Sequence, residues 1–422
     1  MSKYMIVGNS AAAIGAIEGI RTVDKQDKIT VISQEPYLCY SRPLISYFLA
    51  GKVSGEKLYY RGKEFYEKNK VNLYLGSRAV KVNSREKNIE LEDGACLPYQ
   101  KLLIATGSRT AVPPVKGLGK DGQHFFYNLS DVYSLRDNIK ERERAVVIGG
   151  GLIGLKAAEA LLLCGLKVTV IERSPYLLSS ILNEKASRLL EERIQSSGIR
   201  LVLGNSVKEV IGDARVEGVT LEDGEEIDCS ILVLAAGVKP NTEILEGTDA
   251  AIGTGIQVNR RLETSLENIY AAGDVAEAET LLTKEKKVIP IWPSAYCQGL
   301  VAGKNMAGID RECDEEFPRN SISFFGLNII TAGLLEMGDK GKEITSIDSQ
   351  NSTYQRILME NDRVTGMIKI GEVNQAGIIT WLIKNKVPAN SFKELLKRKC
   401  FNPIHLPLSV REKLYREEGA RR

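Results

Sequence analysis

Three clusters in this chain have the residue types and spacing to hold a nucleotide. The clearest is Gly149-Gly-Gly-Leu-Ile-Gly154, a complete G-x-G-x-x-G between an apolar run and a stretch of helical spacing. A dinucleotide pyrophosphate needs close backbone approach and unpaired amides at a helix N-terminus. Glycines permit the approach, and the helix dipole favours the anion. Gly149, Gly151 and Gly154 supply that cradle, with Leu152 and Ile153 opening the helix. Glu172 ends the next strand about 18 residues beyond Gly154, where a carboxylate accepts both ribose hydroxyls and repels a 2′-phosphate. NADH over NADPH follows, with Arg173 beside it as the one residue suited to the extra phosphate. The second cluster, Gly8-Asn-Ser10-Ala11-Ala12-Ala13, is a degenerate copy with small residues for the later glycines. Ser10 leaves room for a phosphate and adds a hydroxyl donor, and Gln34 and Glu35 end its following strand, the position of a ribose-binding acid. The third is Gly273-Asp274, after an apolar run. Two nucleotide sites in one chain suggest two cofactors exchanging electrons, a division typical of flavin and nicotinamide.

The elements that must position these residues read as strand, turn, helix, strand. Tyr4 to Val7 is a β-rich run, helical spacing continues through Ile14, Ile17 and Ile20, and Lys28 to Ile32 is the next strand. Lys101 to Ser108 is an apolar strand ending in the turn Ala105-Thr106-Gly107, and Pro113-Pro114 mark a domain crossing. The second unit is cleaner: strand Arg144 to Ile148, helix Leu155 to Leu163, strand Leu166 to Ile171. Apolar strands Ser230 to Leu234 and Asn268 to Val275 follow, each ending in glycine. The repeated start is a domain-scale duplication. From about Phe317 the texture changes to short β-rich pieces, Ser321 to Phe325, Tyr354 to Met359 and Val364 to Ile370, then a helix-like stretch, Gln375 to Lys384.

Composition narrows the classes. The 422 residues are 43% hydrophobic and 26% charged, ordinary for a globular chain of several domains. A net charge of +3 is too balanced for a nucleic-acid footprint. No apolar run reaches the roughly 18 residues of a spanning helix, and the start shows no secretory pattern, so a cytoplasmic protein is expected. The seven cysteines are scattered without a C-x-x-C, and His124 and His405 lie far apart, so no metal site is expected. His124, beside Phe125 and Phe126, reads as a packing residue. Nine basic residues face four acidic ones between Lys393 and Arg422. Such a tail reads as solvated or loosely docked, and as a dock for an acidic partner in the minority reading.

The order Gly8-x-Ser10, Arg42-Pro43, Ala105-Thr106-Gly107, Gly149-x-Gly-x-x-Gly154, Ala236-Gly237-Val-Lys-Pro240 and Ala272-Gly273-Asp274 resembles the FAD-dependent pyridine nucleotide oxidoreductases, over about residues 1 to 310. Tyr40-Ser-Arg-Pro43 and Ile291-Trp-Pro-Ser294 are most similar to the NADH-dependent rubredoxin and ferredoxin reductases; the N-terminal region of the nitrite reductase large subunit and apoptosis-inducing factor share the pattern. The resemblance implies an α/β fold: two Rossmann-like domains of the glutathione-reductase type and a smaller α+β C-terminal domain. The FAD domain would comprise 1–111 and 235–315, the NAD domain 112–234 and the last domain 316–422. It places FAD pyrophosphate at Gly8, Ser10, Ala11 and Ala12 and its ribose at Gln34 and Glu35. Arg42 and Pro43 would lie by flavin and phosphates, Val80 by adenine, Ala105, Thr106, Gly107 and Arg109 along the cofactor, and Gly273 and Asp274 on the ribityl chain. Ile291 and Trp292 would approach the pyrimidine end, and Gly237 the nicotinamide.

Departures from the family pattern refine the expectation. The slot for a redox cysteine falls at about Pro43, one turn past Cys39, so thiol chemistry is disfavoured and Cys39 reads as a buried small hydrophobe. Tyr47 stands where relatives have a flavin-edge lysine, and Lys156 where they have a glutamate. Lys156 is expected to restore the positive charge lost at Tyr47 and to stabilise anionic reduced flavin, which makes these two the candidate catalytic residues. The implied activity passes electrons from NADH through FAD to rubredoxin or a ferredoxin, with the chain alone, as a homodimer or as a subunit of a redox complex. The alternatives are an NADH oxidase reducing oxygen and a redox-responsive binding protein of the apoptosis-inducing-factor type.

Overall fold

The computed structural model describes residues 2–139, 143–313, 316–339, 341–398 and 401–419. Two compact units form: Met1–Ala111, Tyr127–Tyr133 and Gly237–Glu316 make the first, and Val112–Phe126, Ser134–Ala236 and Phe317–Arg422 the second.

In the first unit Ser2–Val7 lies between Ile29–Ser33 and Cys96–Ile104, all parallel, with Val71–Leu75 beyond Ile29–Ser33. Ile269–Ala271 joins the other edge of Cys96–Ile104, also parallel. These runs are rich in β-branched residues, and Ile29–Ser33 is buried at every position, as a parallel strand covered on both faces must be. The start of Cys96–Ile104 pairs antiparallel with Asn88–Leu91, which pairs with Ala79–Asn83. The run Asn268 to Val275 is strand only at Ile269–Ala271, because Gly273 turns the chain at φ +82°.

Two helices of this unit, Ala11–Val23 and Trp292–Met306, meet backbone to backbone. A Cβ at Gly299 would lie 1.9 Å from the Ala12 carbonyl oxygen, and one at Gly303 2.2 Å from that of Ala16. Gly15 and Gly19 approach the carbonyls of Tyr296 and Leu300 in the same way, at 2.2 and 2.4 Å. The contacts advance together along both helices, so they run parallel with their N-termini side by side.

The second unit holds a five-stranded parallel sheet in the order Arg200–Leu203, Lys167–Glu172, Arg144–Ile148, Ile231–Leu234, Gln123–Phe125. A three-stranded antiparallel sheet, Val207–Ile211, Gly218–Leu221 and Glu226–Asp228, stands beside it in sequence. The C-terminal part is a five-stranded antiparallel sheet, ordered Arg319–Phe324, Leu327–Gly333, Arg363–Ile370, Thr353–Glu360, Lys342–Asp348, with helix Ala376–Lys384 packed on it. The expected class, two parallel α/β sheets and a smaller α+β region, is the one observed. Phe325, expected to end a strand, sits in the hairpin turn at φ +49°, followed by Gly326 at +80°.

The C-terminal tail departs from expectation. Phe401, Leu406 and Leu414 are 2–3% exposed, and the Phe401 ring stacks on Phe392 with centroids 6.1 Å apart. The described part is therefore anchored by apolar burial rather than loosely docked; residues 399–400 and 420–422 lie outside the described residues. Among the described residues no helix is long and apolar enough to cross a membrane.

Candidate functional site

The first cradle begins where Ser2–Val7 ends. Gly8 turns the chain at φ +113°, and a Cβ there would lie 2.0 Å from the Ala105 carbonyl oxygen. Ser10 is the N-cap of helix Ala11–Val23 in an extended conformation, and its side chain makes no cap hydrogen bond. Ala11, Ala12 and Ala13 line the first turn with methyl groups only, so its amides point at nothing bulky. Gly273 closes in from the other side: a Cβ there would meet those of Ala12 at 3.2 Å and Ala295 at 3.4 Å. Its N–H donates to Oε1 of the buried Gln298 at 2.8 Å. Ile291 caps the neighbouring helix, whose first residue Trp292 is half-buried and edge-on to Tyr60 at 5.6 Å. Ser294 Oγ, fully buried in that first turn, has no hydrogen-bond partner among the described residues. Two uncapped helix N-termini and an orphaned buried hydroxyl suit an extended, anionic, hydroxyl-rich ligand, so the residues fit FAD.

Charged groups gather in the same unit. Arg42 forms an ion pair with Glu35, whose other carboxylate oxygen accepts the Tyr40 hydroxyl at 2.6 Å. Arg42 Nη1 donates to the Tyr127 carbonyl at 3.2 Å, and the guanidinium lies 5.5 and 4.9 Å from the Tyr40 and Tyr127 ring centroids. Burial pushes the Asp274 carboxyl up, only partly offset by the positive charge of Arg42. Burial also pushes the Tyr127 phenol up to about 12. Thr106 and Gly107 are tied to Asn241: Thr106 Oγ1 donates to the Asn241 carbonyl at 2.8 Å, and Asn241 N–H to the Gly107 carbonyl at 3.0 Å. Arg109 Nη1 donates to Asn241 Oδ1 at 2.8 Å and its other nitrogen pairs with Glu243, so Arg109 braces this loop. Gln34 and Pro43 are exposed. Val80 is the extra residue of a β-bulge between Ala79 and Lys81, 37% exposed, which takes its backbone groups off the ladder.

The second cradle lies in the second unit. Gly149 turns at φ +112°, and a Cβ there would lie 2.3 Å from the Ala235 carbonyl oxygen; one on Gly154 would lie 1.9 Å from the Gly149 carbonyl oxygen. Gly151 faces open space and caps helix Leu152–Leu163 without a side chain, with Leu152 and Ile153 half-buried in its first turn. Glu172 accepts the N–H groups of Gly150 and of Ser174, the latter at 2.7 Å, which fixes its carboxylate beside the cradle. The donor set fits a dinucleotide. Gly237, at φ +107°, belongs to the first unit, where its carbonyl accepts the Ala111 N–H at 2.9 Å.

The candidate catalytic residues are placed differently. Tyr47 is half-buried on the short helix Ile45–Leu49. Lys156 pairs with Glu159 at 2.7 Å, donates to the Ser323 carbonyl and lies 4.8 Å from the Phe324 ring centroid. Glu159 in turn accepts the Phe325 N–H at 2.9 Å. The charge of Lys156 is thus compensated within its own helix and spent on the C-terminal hairpin tip. Cys39 is 1% exposed, and burial pushes its thiol up to about 12. His405 caps the turn Pro403–His405 by accepting the Asn402 N–H at 3.1 Å. Sequence reasoning missed Tyr127 and Asn241, which no motif marks, and named Tyr40 only as the first residue of the Tyr40-Ser-Arg-Pro43 motif. It also missed the paired glycines of the two helices, although the four-residue spacings Gly15/Gly19 and Gly299/Gly303 were a readable signal.

Residues 2–299 match the family described as pyridine nucleotide-disulphide oxidoreductase, and residues 318–387 the rubredoxin NAD+ reductase C-terminal domain. The chain is 32% identical to the NADH-dependent phenylglyoxylate dehydrogenase subunit epsilon of Aromatoleum evansii, covering 98% of each. It is similar to the NADH-rubredoxin oxidoreductase of Clostridium acetobutylicum, 29% identical over 88% of this chain and 92% of that one. The solved structure of the NADH:rubredoxin oxidoreductase from that organism superposes with a TM-score of 0.77 at 27% identity, covering 93% and 97% of the two chains. The chain spans about half, 47%, of a nitrite reductase of Bacillus subtilis to which it is 30% identical.

Proposed function

The chain belongs to the pyridine nucleotide-disulphide oxidoreductase family, and from that premise we propose that it moves electrons from NADH through bound FAD to a small iron–sulfur protein, a rubredoxin or ferredoxin. It is an NAD(P)H-dependent flavoprotein oxidoreductase whose cofactors are FAD and NAD. Bound FAD supplies the exchange between a two-electron hydride donor and one-electron iron–sulfur centres.

The observation that carries this reading is the pair of glycine cradles, each at an uncapped helix N-terminus, with an acid two residues past the following strand for one, Glu35, and an acid ending it for the other, Glu172. We assign FAD to residues 1–111 and 235–315 and NAD to 112–234, with 316–422 as the third domain. In this assignment the amides after Gly8 and Ser10 bind the FAD pyrophosphate, Glu35 and Gln34 take its ribose, and the freed backbone of Val80 takes the adenine. Asp274 accepts the ribityl hydroxyls. Arg42 balances phosphate charge, Trp292 shields the pyrimidine end, and Tyr47 borders the ring. Gly149 to Gly154 hold the NADH pyrophosphate, Glu172 its ribose, and Gly237 the nicotinamide side. The buried thiol of Cys39 supports electron rather than thiol transfer. We place the protein in the cytoplasm and its acidic partner at the basic tail.

An anaerobic NADH titration tests this. Bleaching of the flavin absorbance that recovers on adding oxidised rubredoxin or ferredoxin is expected. Fast recovery with oxygen alone would make it an NADH oxidase, and no bleaching would remove the nicotinamide assignment. The end-to-end match to a dehydrogenase subunit favours a second reading, in which the chain serves as the NADH-linked subunit of a larger redox complex. Co-purification of iron–sulfur or catalytic subunits would support it.

A further inference from the structure

The helix of the second cradle, Leu152–Leu163, begins at an end that little holds from within. Gly151 caps it without a side chain, and its first turn carries no acid, so its amides stay free for an anion. An end of this kind, with glycines at 151 and 154, is where a helix frays. On the sheet side it is fixed, because a Cβ at Gly154 would meet the Gly149 carbonyl oxygen at 1.9 Å and the Ala235 Cβ at 3.4 Å. Lys156 lies about 200° further round the helix, with Glu159 on its own face, so both stand on the side turned away from Gly154.

There the two residues grip the tip of the hairpin formed by Arg319–Phe324 and Leu327–Gly333. Lys156 Nζ donates to the Ser323 carbonyl and lies 4.8 Å from the ring centroid of the fully buried Phe324. Glu159 Oε1 accepts the Phe325 N–H at 2.9 Å, while its Oε2 pairs with Lys156 Nζ at 2.7 Å. Phe325 is held at φ +49°, a turn position that asparagine or glycine fills more easily. The polarity is matched: a donor meets the carbonyl before Phe324 and an acceptor meets the N–H after it. We propose that Lys156 and Glu159 are positioning residues for NADH. By clasping the hairpin they brace the outer face of the helix, so its first turns are ordered before the dinucleotide arrives. Ordering that precedes binding raises affinity, and by linkage a bound nicotinamide nucleotide must then tighten the hairpin. This rests on the assignment of NADH to the second cradle.

Hydrogen exchange on the full, FAD-loaded chain, with and without NAD+, tests the coupling without turnover. NAD+ is expected to slow exchange in the cradle, residues 149–154, and also at the hairpin tip, residues 323–327. Anaerobic flavin reduction by NADH is then followed in Lys156→Met and in the charge-swapped Lys156→Glu/Glu159→Lys. Both are expected to raise the half-saturating NADH concentration about ten-fold, the loss of hydrogen bonds to a charged group, and to lower the limiting rate less. In both, NAD+ is expected to leave the hairpin tip unprotected. The swap is the sharper variant: it keeps an ion pair within the helix but sets an acid against the Ser323 carbonyl and an amine against the Phe325 N–H. A swap that binds NADH like the wild type would overturn the clasp. A hairpin loosened with no change in half-saturating NADH would reduce both residues to a structural role, and NAD+ protection of the wild-type cradle alone would do the same. Protection at neither place would overturn the NADH assignment itself.

Discussion

At the scale of single residues, the acid that ends the strand after the second cradle is already held by its neighbours. Glu172 is not a loose side chain awaiting a ribose: it accepts two backbone N–H groups, Gly150 and Ser174, so its carboxylate is oriented before any ligand arrives. On the proposed NADH assignment, Glu172→Ala removes the ribose acceptor, and KM for NADH is expected to rise about 10- to 100-fold with kcat little changed, the range for hydrogen bonds to a charge. Arg173 then gives NADPH a relative advantage, read from steady-state kinetics with both nucleotides. A collapse of kcat for both would place Glu172 in the fold of the turn instead. Cys39 makes the opposite case, a reactive residue type disarmed by its surroundings. A thiol raised to about 12 holds almost no thiolate at pH 7–9, so raising the pH across that range does not activate it. Iodoacetamide at pH 8 is expected to modify the exposed Cys96 and spare Cys39 in the folded protein, measured by peptide mass spectrometry. Cys39→Ala is expected to leave flavin reduction by NADH at its wild-type rate.

At the scale of elements, the first cradle depends on a helix pair as much as on its own loop. Helices Ala11–Val23 and Trp292–Met306 approach through Gly15, Gly19, Gly299 and Gly303, and this parallel packing sets the uncapped N-terminus of one beside that of the other. Two aligned positive dipole ends concentrate on one small volume, which an anion must neutralise. Gly299→Ala puts a methyl 1.9 Å from the Ala12 carbonyl oxygen, and both partners are backbone, so only a helix shift can relieve it. The expected cost is about 1–3 kcal/mol, seen as a lower Tm, together with loss of FAD on dialysis. Gly308→Ala, with open space at its Cβ, is the matched control for the melting measurement: it carries only the strain of its φ of +96°. A Gly299→Ala protein that melts and retains flavin like the wild type would show that the helices slide freely.

At the scale of the whole chain, legibility followed the period of the signal. Gly8, Gly149 and Gly273 were readable because a nucleotide cradle needs specific φ angles at fixed offsets from a strand, and all three turn at positive φ. Tyr127 and Asn241 were not, because their partners are 85 and 135 residues away, respectively, and chain spacing carries no trace of such contacts. Lys156 was read for its charge; its i,i+3 pair with Glu159 lay within helical spacing, while its bond to the hairpin tip could be found only once the C-terminal sheet was folded. The tail shows the same limit. Its charge reads as a solvated arm, while Phe401, Leu406 and Leu414, too sparse for a pattern, tie it into the second unit. This changes how docking there must be tested. Deleting the tail would strip those side chains from the core and confound partner binding with stability. Charge reversal on the outer face of helix Leu408–Gly419 avoids this, because Arg416 is exposed and Arg411 half-buried, beside Leu408 and Tyr415 at 63% and 55% exposure. The helix sequence carries three basic and three acidic residues, so steering of an acidic protein to the exposed apolar groups falls to Arg411 and Arg416. Arg411→Glu/Arg416→Glu is expected to raise KM for rubredoxin or ferredoxin several-fold at low salt, to shrink the salt dependence of that KM, and to leave Tm and flavin reduction by NADH unchanged. An unaltered KM at low salt would move the docking surface elsewhere, since charges at a real interface steer encounter most strongly when screening is weakest.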